Sequence, residues 1–253
     1  MKIQNILISQ PKPVDFEKSP YAEIVKKHNV EIDFVKFFSI EEVSATDFRK
    51  HRINILDYTG IVLMSKNAVD HFFRMAKELR IDIPDTMKYF CINETTALYL
   101  QRYITYRKRK IFYSKSNITE LVDIIVKHKS EKYLIPTADS NGGVIGSILH
   151  ANNIQHTPAP MFMNVSVDLV NTIDINKYQL IVIFSPSGMQ SLLENFADFK
   201  EKGISIAALG KNVCAAIENN GLTPCFMAPT PECPSITIAI DHYLKKANKG
   251  TKK

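Results

Sequence analysis

Short apolar runs alternate with amphipathic stretches along almost the whole chain. The runs are rich in Ile, Val and Phe, are too short for helices, and are bounded by Gly, Ser, Asn or Pro. In the stretches between them, apolar residues recur at helical spacing, as Val69, Phe72 and Ala76 do after Ser65. This alternation predicts strand-helix units, and therefore an α/β fold with parallel sheets.

The elements can be placed from the same pattern. Predicted strands cover residues 3–8, 31–38, 61–64, 89–92, 110–113, 133–135, 180–184 and 205–209, with an extended segment over 154–165. Predicted helices cover residues 68–79, 95–103, 118–127, 142–151, 190–199, 213–219 and 236–246, and one more begins near Pro20. Ser19 and Ser185 are expected to cap helices, because each precedes a proline that suits the first helical turn.

The chain also repeats its own pattern. Residues 58–69 align with 178–189 without a gap, 90–97 with 207–214, and 28–38 with 152–162. A single match of this kind is weak, because strand-to-helix turns look alike in any α/β protein. Several matches in the same order predict two similar doubly wound, flavodoxin-like domains.

Candidate binding positions follow from that fold. Ligands of such sheets lie beyond the carboxyl ends of the strands, where helix N-termini present free N–H groups and a positive dipole. The turns expected there, rich in Ser, Thr, Asn, Gly and Lys, are 9–12, 65–67, 93–96, 137–143, 185–188 and 210–212. They suit a ligand with several negative charges.

The turn at Ser185 allows two interpretations. In the first, Ser185 and Pro186 leave the N–H groups of Ser187 and Gly188 free to bind an oxyanion. In the second, Ser185 only caps its own helix.

Common catalytic motifs are missing from the sequence. There is no G-x-G-x-x-G, no Walker-type loop and no G-x-S-x-G elbow around Ser187, and Asp139 has no His or carboxylate that the sequence forces beside it. The four cysteines form no C-x-x-C pair, so we expect reduced, mostly structural thiols and no metal. The seven histidines are expected on surfaces or in satisfied structural roles. An enzyme of this kind would act by binding and shaping a reactive substrate.

Composition bears on where the protein is located and on which ligands it could bind. The chain has 253 residues, 45% of them hydrophobic and 23% charged, with a formal net charge of +6. No apolar run approaches the roughly 20 residues of a membrane helix, and the N-terminus does not resemble a secretory signal, so a cytoplasmic protein is expected. The basic segment 102–110 is interpreted as a solvated loop and strand edge, with nucleic-acid binding as the alternative. The basic tail 245–253 is interpreted as a frayed end.

Several of these turns together resemble the uroporphyrinogen-III synthase family. The resemblance lies in a strand-turn-helix in each half, a later glycine-led turn, and a Pro/Thr-rich entry to the last helix. These motifs are 63–69 (LMSKNAV), 184–189 (FSPSGM), 210–217 (GKNVCAAI) followed by Gly221 and Leu222, and 228–235 (APTPECPS).

The resemblance implies an architecture and an activity. Residues 1–36 and 166–253 would form a discontinuous domain 1, residues 39–161 an inserted domain 2, and two extended connectors a short ladder between them. A cleft between the domains would bind hydroxymethylbilane, a linear tetrapyrrole with an acetate and a propionate on every ring. Loss of its hydroxyl, inversion of ring D through a spiro intermediate and closure would give uroporphyrinogen III, without a cofactor and in a monomer.

The resemblance also implies the residues that would contact the carboxylates. They are Ser65, Asn67, Ser185, Ser187, Gly188 and Asn212, flanked by Thr95 and Thr96.

The chain departs from the family pattern at three places. Phe162 replaces a tyrosine that assists departure of the hydroxyl in many members, Gln10 replaces a common arginine, and Asn212-Val213 replaces a Thr-Thr pair. These departures motivate an alternative of another class, which is a non-catalytic module that binds a tetrapyrrole or another polyanion.

Overall fold

The computed structural model describes residues 2–115, 117–138 and 142–249, apart from the side chains of Glu201 and Lys249. The strands are β1 Asn5–Ile8, β2 Glu31–Phe34, β3 Phe38–Glu42, β4 Gly60–Leu63, β5 Lys88–Cys91, β6 Ile111–Tyr113, β7 Tyr133–Thr137, β8 His156–Pro160, β9 Phe162–Ser166, β10 Leu180–Ile183, β11 Ser205–Leu209 and β12 Met227–Ala228. The α-helices are α1 Pro20–His28, α2 Ala45–Lys50, α3 Lys66–Glu78, α4 Glu94–Tyr99, α5 Ile118–Lys127, α6 Gly143–Ala151, α7 Pro186–Asn195, α8 Lys211–Asn219 and α9 Ile236–Lys249. Short 3₁₀ turns cover Ile55–Asp57, Leu100–Arg102, Ile175–Lys177 and Phe199–Lys202.

The chain divides into two compact units. Unit 1 comprises Met1–Ser39 and Val165–Lys253, and unit 2 comprises Ile40–Asn164. Each unit contains a five-stranded parallel sheet. A two-stranded sheet of β3 and β9 lies where the chain passes from one unit to the other. The predicted fold class is therefore confirmed.

The strand orders of the two sheets match once the chain order is taken into account. Unit 1 has the order β2-β1-β10-β11-β12, which is the flavodoxin-like order 2-1-3-4-5 counted along that unit. Unit 2 has the order β8-β7-β4-β5-β6, which is the same arrangement with the chain entering at the central strand. Strands β4 and β10 therefore correspond, as do β5 and β11, and β8 and β2, in agreement with the repeated sequence pattern.

Side chains of the central strands alternate between the two faces of each sheet. In unit 1, Ile181 and Ile183 of β10 pack with α7 and α8 residues, whereas Leu180 and Val182 pack with α1 and α9 residues. Strand β4 of unit 2 is likewise buried along its whole length. Burying one such side chain contributes about 1.5–3 kcal/mol, so the central strands hold each unit together.

Most predicted elements are confirmed, but several bounds were wrong. The predicted helix 95–103 ends at Tyr99 and continues as a 3₁₀ turn, and the helix predicted over 190–199 is α7, which begins at Pro186. The predicted strand 31–38 divides into β2 and the start of β3. Ser19 stands at the N-cap of α1 but does not cap with its side chain, because its hydroxyl donates to the Phe16 carbonyl at 2.6 Å. The sequence patterns did not predict α2 or β12.

Candidate functional site

In unit 2, two neighbouring parallel strands bring four of the expected site residues to one edge of the sheet. Strand β4 leads through Ser65 into α3, and β5 leads through Asn93 into α4. Ser65 and Asn67 therefore lie at the same edge as Thr95 and Thr96. Asn67 and Thr95 are exposed, Ser65 is half-buried, and Thr96 is only 3% exposed.

Both of these helices are capped by a side chain at the N-cap. The Ser65 hydroxyl accepts a hydrogen bond from the Ala68 N–H at 3.1 Å. The Asn93 side-chain oxygen accepts one from the Thr96 N–H at 2.8 Å. These caps satisfy one first-turn donor in each helix, so a ligand has to bind other groups at this edge.

In unit 1, the equivalent strands carry the remaining expected residues. Strand β10 leads through Ser185 into α7, and β11 leads through Gly210 into α8. The Ser185 hydroxyl accepts a hydrogen bond from the Gly188 N–H at 3.0 Å, so the prediction that this N–H is free was wrong. The second interpretation of this turn therefore holds for the Gly188 amide, because the serine caps its own helix.

Ser9 is a further residue of this edge, next to Ser185. It follows β1, beside β10, where the strand order of the sheet reverses. Ser9 is 7% exposed; its N–H donates to the Val182 carbonyl at 3.0 Å, and its hydroxyl accepts from the Phe184 N–H at 2.9 Å. A Cβ at Gly188 would lie 3.7 Å from the Ser9 hydroxyl and 3.3 Å from that of Ser185. The absence of a side chain at Gly188 therefore leaves room for the Ser9 and Ser185 hydroxyls beside the start of α7.

Helix α8 begins differently from α3, α4 and α7. Its N-cap is Gly210, at φ +85°, which has no side chain to offer to the first-turn amides. Asn212 is exposed in that first turn. Of the two helix starts α7 and α8, α8 is therefore the one in which no N-cap side chain occupies a first-turn N–H donor.

Cations lie beside aromatic rings near the α3 start. The Lys66 ammonium lies 5.3 Å from the Tyr99 ring centroid, and the Arg102 guanidinium carbon lies 5.0 Å from it. The Tyr99 hydroxyl donates to Asp70 at 3.0 Å, which fixes the ring. The arrangement places two positive charges where a carboxylate could be bound, while the ring face limits their movement.

Phe162 lies within unit 2 and is 9% exposed. Its ring stacks on the imidazole of His71, with centroids 4.9 Å apart and planes 21° from parallel. Burial, and after it the positive charge of Arg74, lowers the pKa of His71. The sequence patterns assigned His71 to a surface or satisfied structural role, and this was wrong, because its Nδ1 is buried without a hydrogen bond to any described residue.

Several other expectations concern absences or residues outside the described part. Within residues 2–115, 117–138 and 142–249, no three His, Cys, Asp or Glu side chains are placed to hold a metal ion. Over the same ranges, no helix combines the length and hydropathy of a membrane span. In the turn 137–143, residues 139–141, and with them Asp139, lie outside the described residues. The four cysteines are unpaired, but only Cys91 is buried.

The strand order and the helix starts at the carboxyl edges define a class, which is a two-unit α/β protein of flavodoxin-like topology. A family model described as uroporphyrinogen-III synthase HemD matches residues 19–237. The chain therefore belongs to the uroporphyrinogen-III synthase HemD family. No curated protein sequence matches it significantly.

Solved structures show the same fold. A mutant uroporphyrinogen III synthase from Thermus thermophilus is similar with a TM-score of 0.60 and 10% identity, covering 98% of this chain and 99% of that one. A uroporphyrinogen-III synthetase from Helicobacter pylori is similar with a TM-score of 0.57 and 14% identity, covering 96% of this chain and 100% of that one. At these identities, the likeness concerns the fold.

Proposed function

We propose that this protein is a uroporphyrinogen-III synthase, which cyclises hydroxymethylbilane with inversion of ring D. The observation that carries the proposal is the family match over residues 19–237. The fold it shares with the Thermus and Helicobacter proteins supports the proposal.

The substrate is a polycarboxylate, and the exposed groups at the two sheet edges suit it. In unit 2 we assign Ser65, Asn67 and Thr95 to carboxylate binding, with Lys66 as a nearby cation. Thr96 supports this edge from the buried side, where its N–H bonds to Asn93. Uncapped amides and the positive end of the helix dipole favour binding of an anion at a helix start. A nearby lysine adds a positive charge that attracts a carboxylate from several directions.

In unit 1 the proposed contacts centre on α8. Asn212 and the first-turn amides after Gly210 would bind carboxylates directly. Ser185 and Ser187 would contribute polar side chains at the α7 start, whereas Gly188 would make no direct contact, because its N–H is held by Ser185.

The chemistry requires little beyond positioning. Departure of the hydroxyl gives a reactive azafulvene, and closure without inversion gives the type I isomer. An enzyme favours the route through the spiro intermediate by holding the bilane in a folded conformation. In that conformation the substituted carbon of ring D is the nucleophile nearer to the azafulvene. The proposed reaction uses no cofactor.

The direct test is isomer analysis of the product. Freshly generated hydroxymethylbilane is incubated with the protein, and the oxidised porphyrins are separated by chromatography, with heat-denatured protein as the control. We expect mainly type III isomer with the native protein and type I with the control. Type I from both samples would refute the synthase.

The buried, hydroxyl-free ring of Phe162 favours a second candidate, which is a binding module without catalysis. That candidate predicts tight binding of a linear tetrapyrrole, measured by calorimetry, with only type I isomer formed. The isomer ratio therefore separates the two candidates.

A further inference from the structure

His71 and Asn67 lie on the same face of α3, because residues four apart on a helix are neighbours. The His71 ring stacks on Phe162 at the start of β9. A continuous row therefore runs within unit 2 from the expected carboxylate site at the α3 start, through His71, to Phe162. The stack fixes the plane of the imidazole, so the direction of its N–H bond is defined.

The surroundings of His71 determine its protonation state. Nδ1 is buried and no described residue accepts a hydrogen bond from it, so an N–H at that atom would be left unpaired. The proton of the neutral ring is therefore assigned to Nε2. The charged groups that act on the ring are Arg74, Glu42 and Asp70; burial and Arg74 together outweigh the two carboxylates and lower the pKa of His71. The ring is accordingly a neutral hydrogen-bond donor at pH 7.

Most neighbouring polar groups are already engaged, although the buried Arg74 Nε has no hydrogen-bond partner among the described residues. The Arg74 guanidinium donates to the carbonyls of Val43 and Met161 at 3.0 and 2.8 Å. The Tyr99 hydroxyl donates to Asp70. Phe162 has no proton to donate. Of the two stacked rings, the His71 imidazole is therefore the one that can donate a hydrogen bond.

We propose that His71 donates a hydrogen bond from Nε2 to the hydroxyl oxygen that leaves hydroxymethylbilane; the inference rests on the proposed synthase function. As the C–O bond breaks, its electron pair stays on oxygen. The pyrrole nitrogen lone pair becomes a C=N bond of the ring, and the ring π electrons shift to form the exocyclic C=C bond. The pyrrole N–H proton is lost to the departing hydroxide, so the products are the azafulvene and one water. The bond from His71 stabilises the charge that develops on oxygen.

The test compares three substitutions at this position. His71→Phe keeps an aromatic ring for the Phe162 stack and removes the donor. His71→Gln retains a neutral N–H near the place of Nε2, whereas His71→Asn has its amide nitrogen near the place of Nδ1. The matched control is Lys77→Ala, an exposed residue of the same helix. Circular dichroism and urea unfolding establish that each variant is folded.

We expect kcat for type III formation to fall about 10- to 100-fold in His71→Phe and His71→Asn, with KM changed less than about twofold. His71→Gln should retain kcat within about fivefold of the unsubstituted protein, and Lys77→Ala should match it. If His71 had only a structural role, His71→Gln and His71→Asn would have similar kcat values. Should His71→Phe fail to fold, the Gln and Asn pair decides the question.

Two kinds of failure can be distinguished. If the unsubstituted protein forms type III isomer and His71→Phe has the same kcat, the role of His71 is overturned and the synthase stands. The same holds if His71→Gln is as slow as His71→Asn. If the unsubstituted protein forms no type III isomer, the proposed function fails and the inference fails with it.

Discussion

Helices α3 and α7 occupy equivalent places in the two units, and each holds a connecting segment to its own unit. In unit 2, Arg74 of α3 donates to the carbonyls of Val43 and Met161. In unit 1, Ser191 of α7 donates to the Phe37 carbonyl, and Asn195 donates to the Val167 carbonyl at 2.9 Å. Both helices therefore combine a serine N-cap with side-chain bonds to the backbone beside β3 or β9.

The chemistry of the two attachments differs. Alignment of the repeated segments places His71 opposite Ser191, so a titratable ring occupies α3 where α7 has a hydroxyl. In the same alignment Arg74 lies opposite Glu194, so α3 has a positive charge where α7 has a negative one, and Asn195, which makes the attachment in α7, is neutral. The comparison teaches that the two units share a scaffold, while the side chains at these equivalent positions differ in charge and in their ability to titrate.

Removal of the Arg74 guanidinium should have the largest effect on stability. In Arg74→Met, the Val43 carbonyl loses the Arg74 donor, and the Met161 carbonyl keeps only the Val43 N–H at 3.3 Å. We expect a loss of about 3 kcal/mol in the free energy of unfolding, measured in urea. Lys77→Met, on the exposed part of the same helix, should change it by less than about 0.5 kcal/mol. Equal effects of the two variants would contradict the conclusion that Arg74 holds the segments at Val43 and Met161 to α3.

The corresponding change in unit 1 should cost less, because the groups are neutral. Asn195→Ala removes bonds to the Val167 and Ser191 carbonyls and leaves the Leu169 N–H without its partner at 2.8 Å. We expect a loss of about 2 kcal/mol in urea unfolding. Asn219→Ala, at the exposed end of α8, is the control. A loss larger than that of Arg74→Met would reverse the comparison.

The serine caps should behave alike in the two units. Ser65→Ala and Ser185→Ala each remove one hydrogen bond to a first-turn N–H, at 3.1 and 3.0 Å. Each substitution should cost about 1 kcal/mol by thermal or urea unfolding. Substitution by threonine, which keeps the hydroxyl, should recover most of the loss. A cap that contributes nothing in one unit would show that the repeat does not extend to its helix starts.

The smallest expected effect is a dependence on pH that only α3 provides. Burial and Arg74 lower the pKa of His71 in the folded protein. Below about pH 6.5, His71 is therefore protonated in a larger fraction of unfolded than of folded molecules. Stability from this group is therefore complete above pH 6.5 and decreases as the pH falls towards the lowered pKa. The urea midpoint of His71→Phe should decrease less between pH 7 and pH 5 than that of the unsubstituted protein. Parallel decreases would contradict the assigned burial.

Local pattern was sufficient for the fold class and for most of its elements. Helix 118–127 and strand 205–209 have the bounds that their periodicity predicts, because their apolar positions are regular and their ends are polar. Helix α2 was missed because it is six residues long and buries only Phe48. A signal was present, since Ser44 caps that helix by accepting from the Asp47 N–H, a spacing that recurs in capping boxes.

The candidate site was predictable only in part. The positions of Ser65, Ser185 and Asn212 follow from strand-turn-helix patterns, which are local. The contact between His71 and Phe162 depends on how α3 and β9 pack, and no local pattern contains that information. The occupied Gly188 amide, in contrast, follows from one of the two interpretations that the local pattern allowed, because an N-cap serine accepts from a first-turn N–H that a ligand would otherwise bind.

The most direct test of the difference between the helices is the rate of type III isomer formation by His71→Phe and Ser191→Ala in one assay, each compared with the unsubstituted protein under conditions where all three are folded. We expect His71→Phe to lose about 10- to 100-fold in kcat, whereas Ser191→Ala keeps kcat within about twofold. Equal losses in the two variants, or no loss in His71→Phe, would contradict the assignment of the reactive chemistry to unit 2.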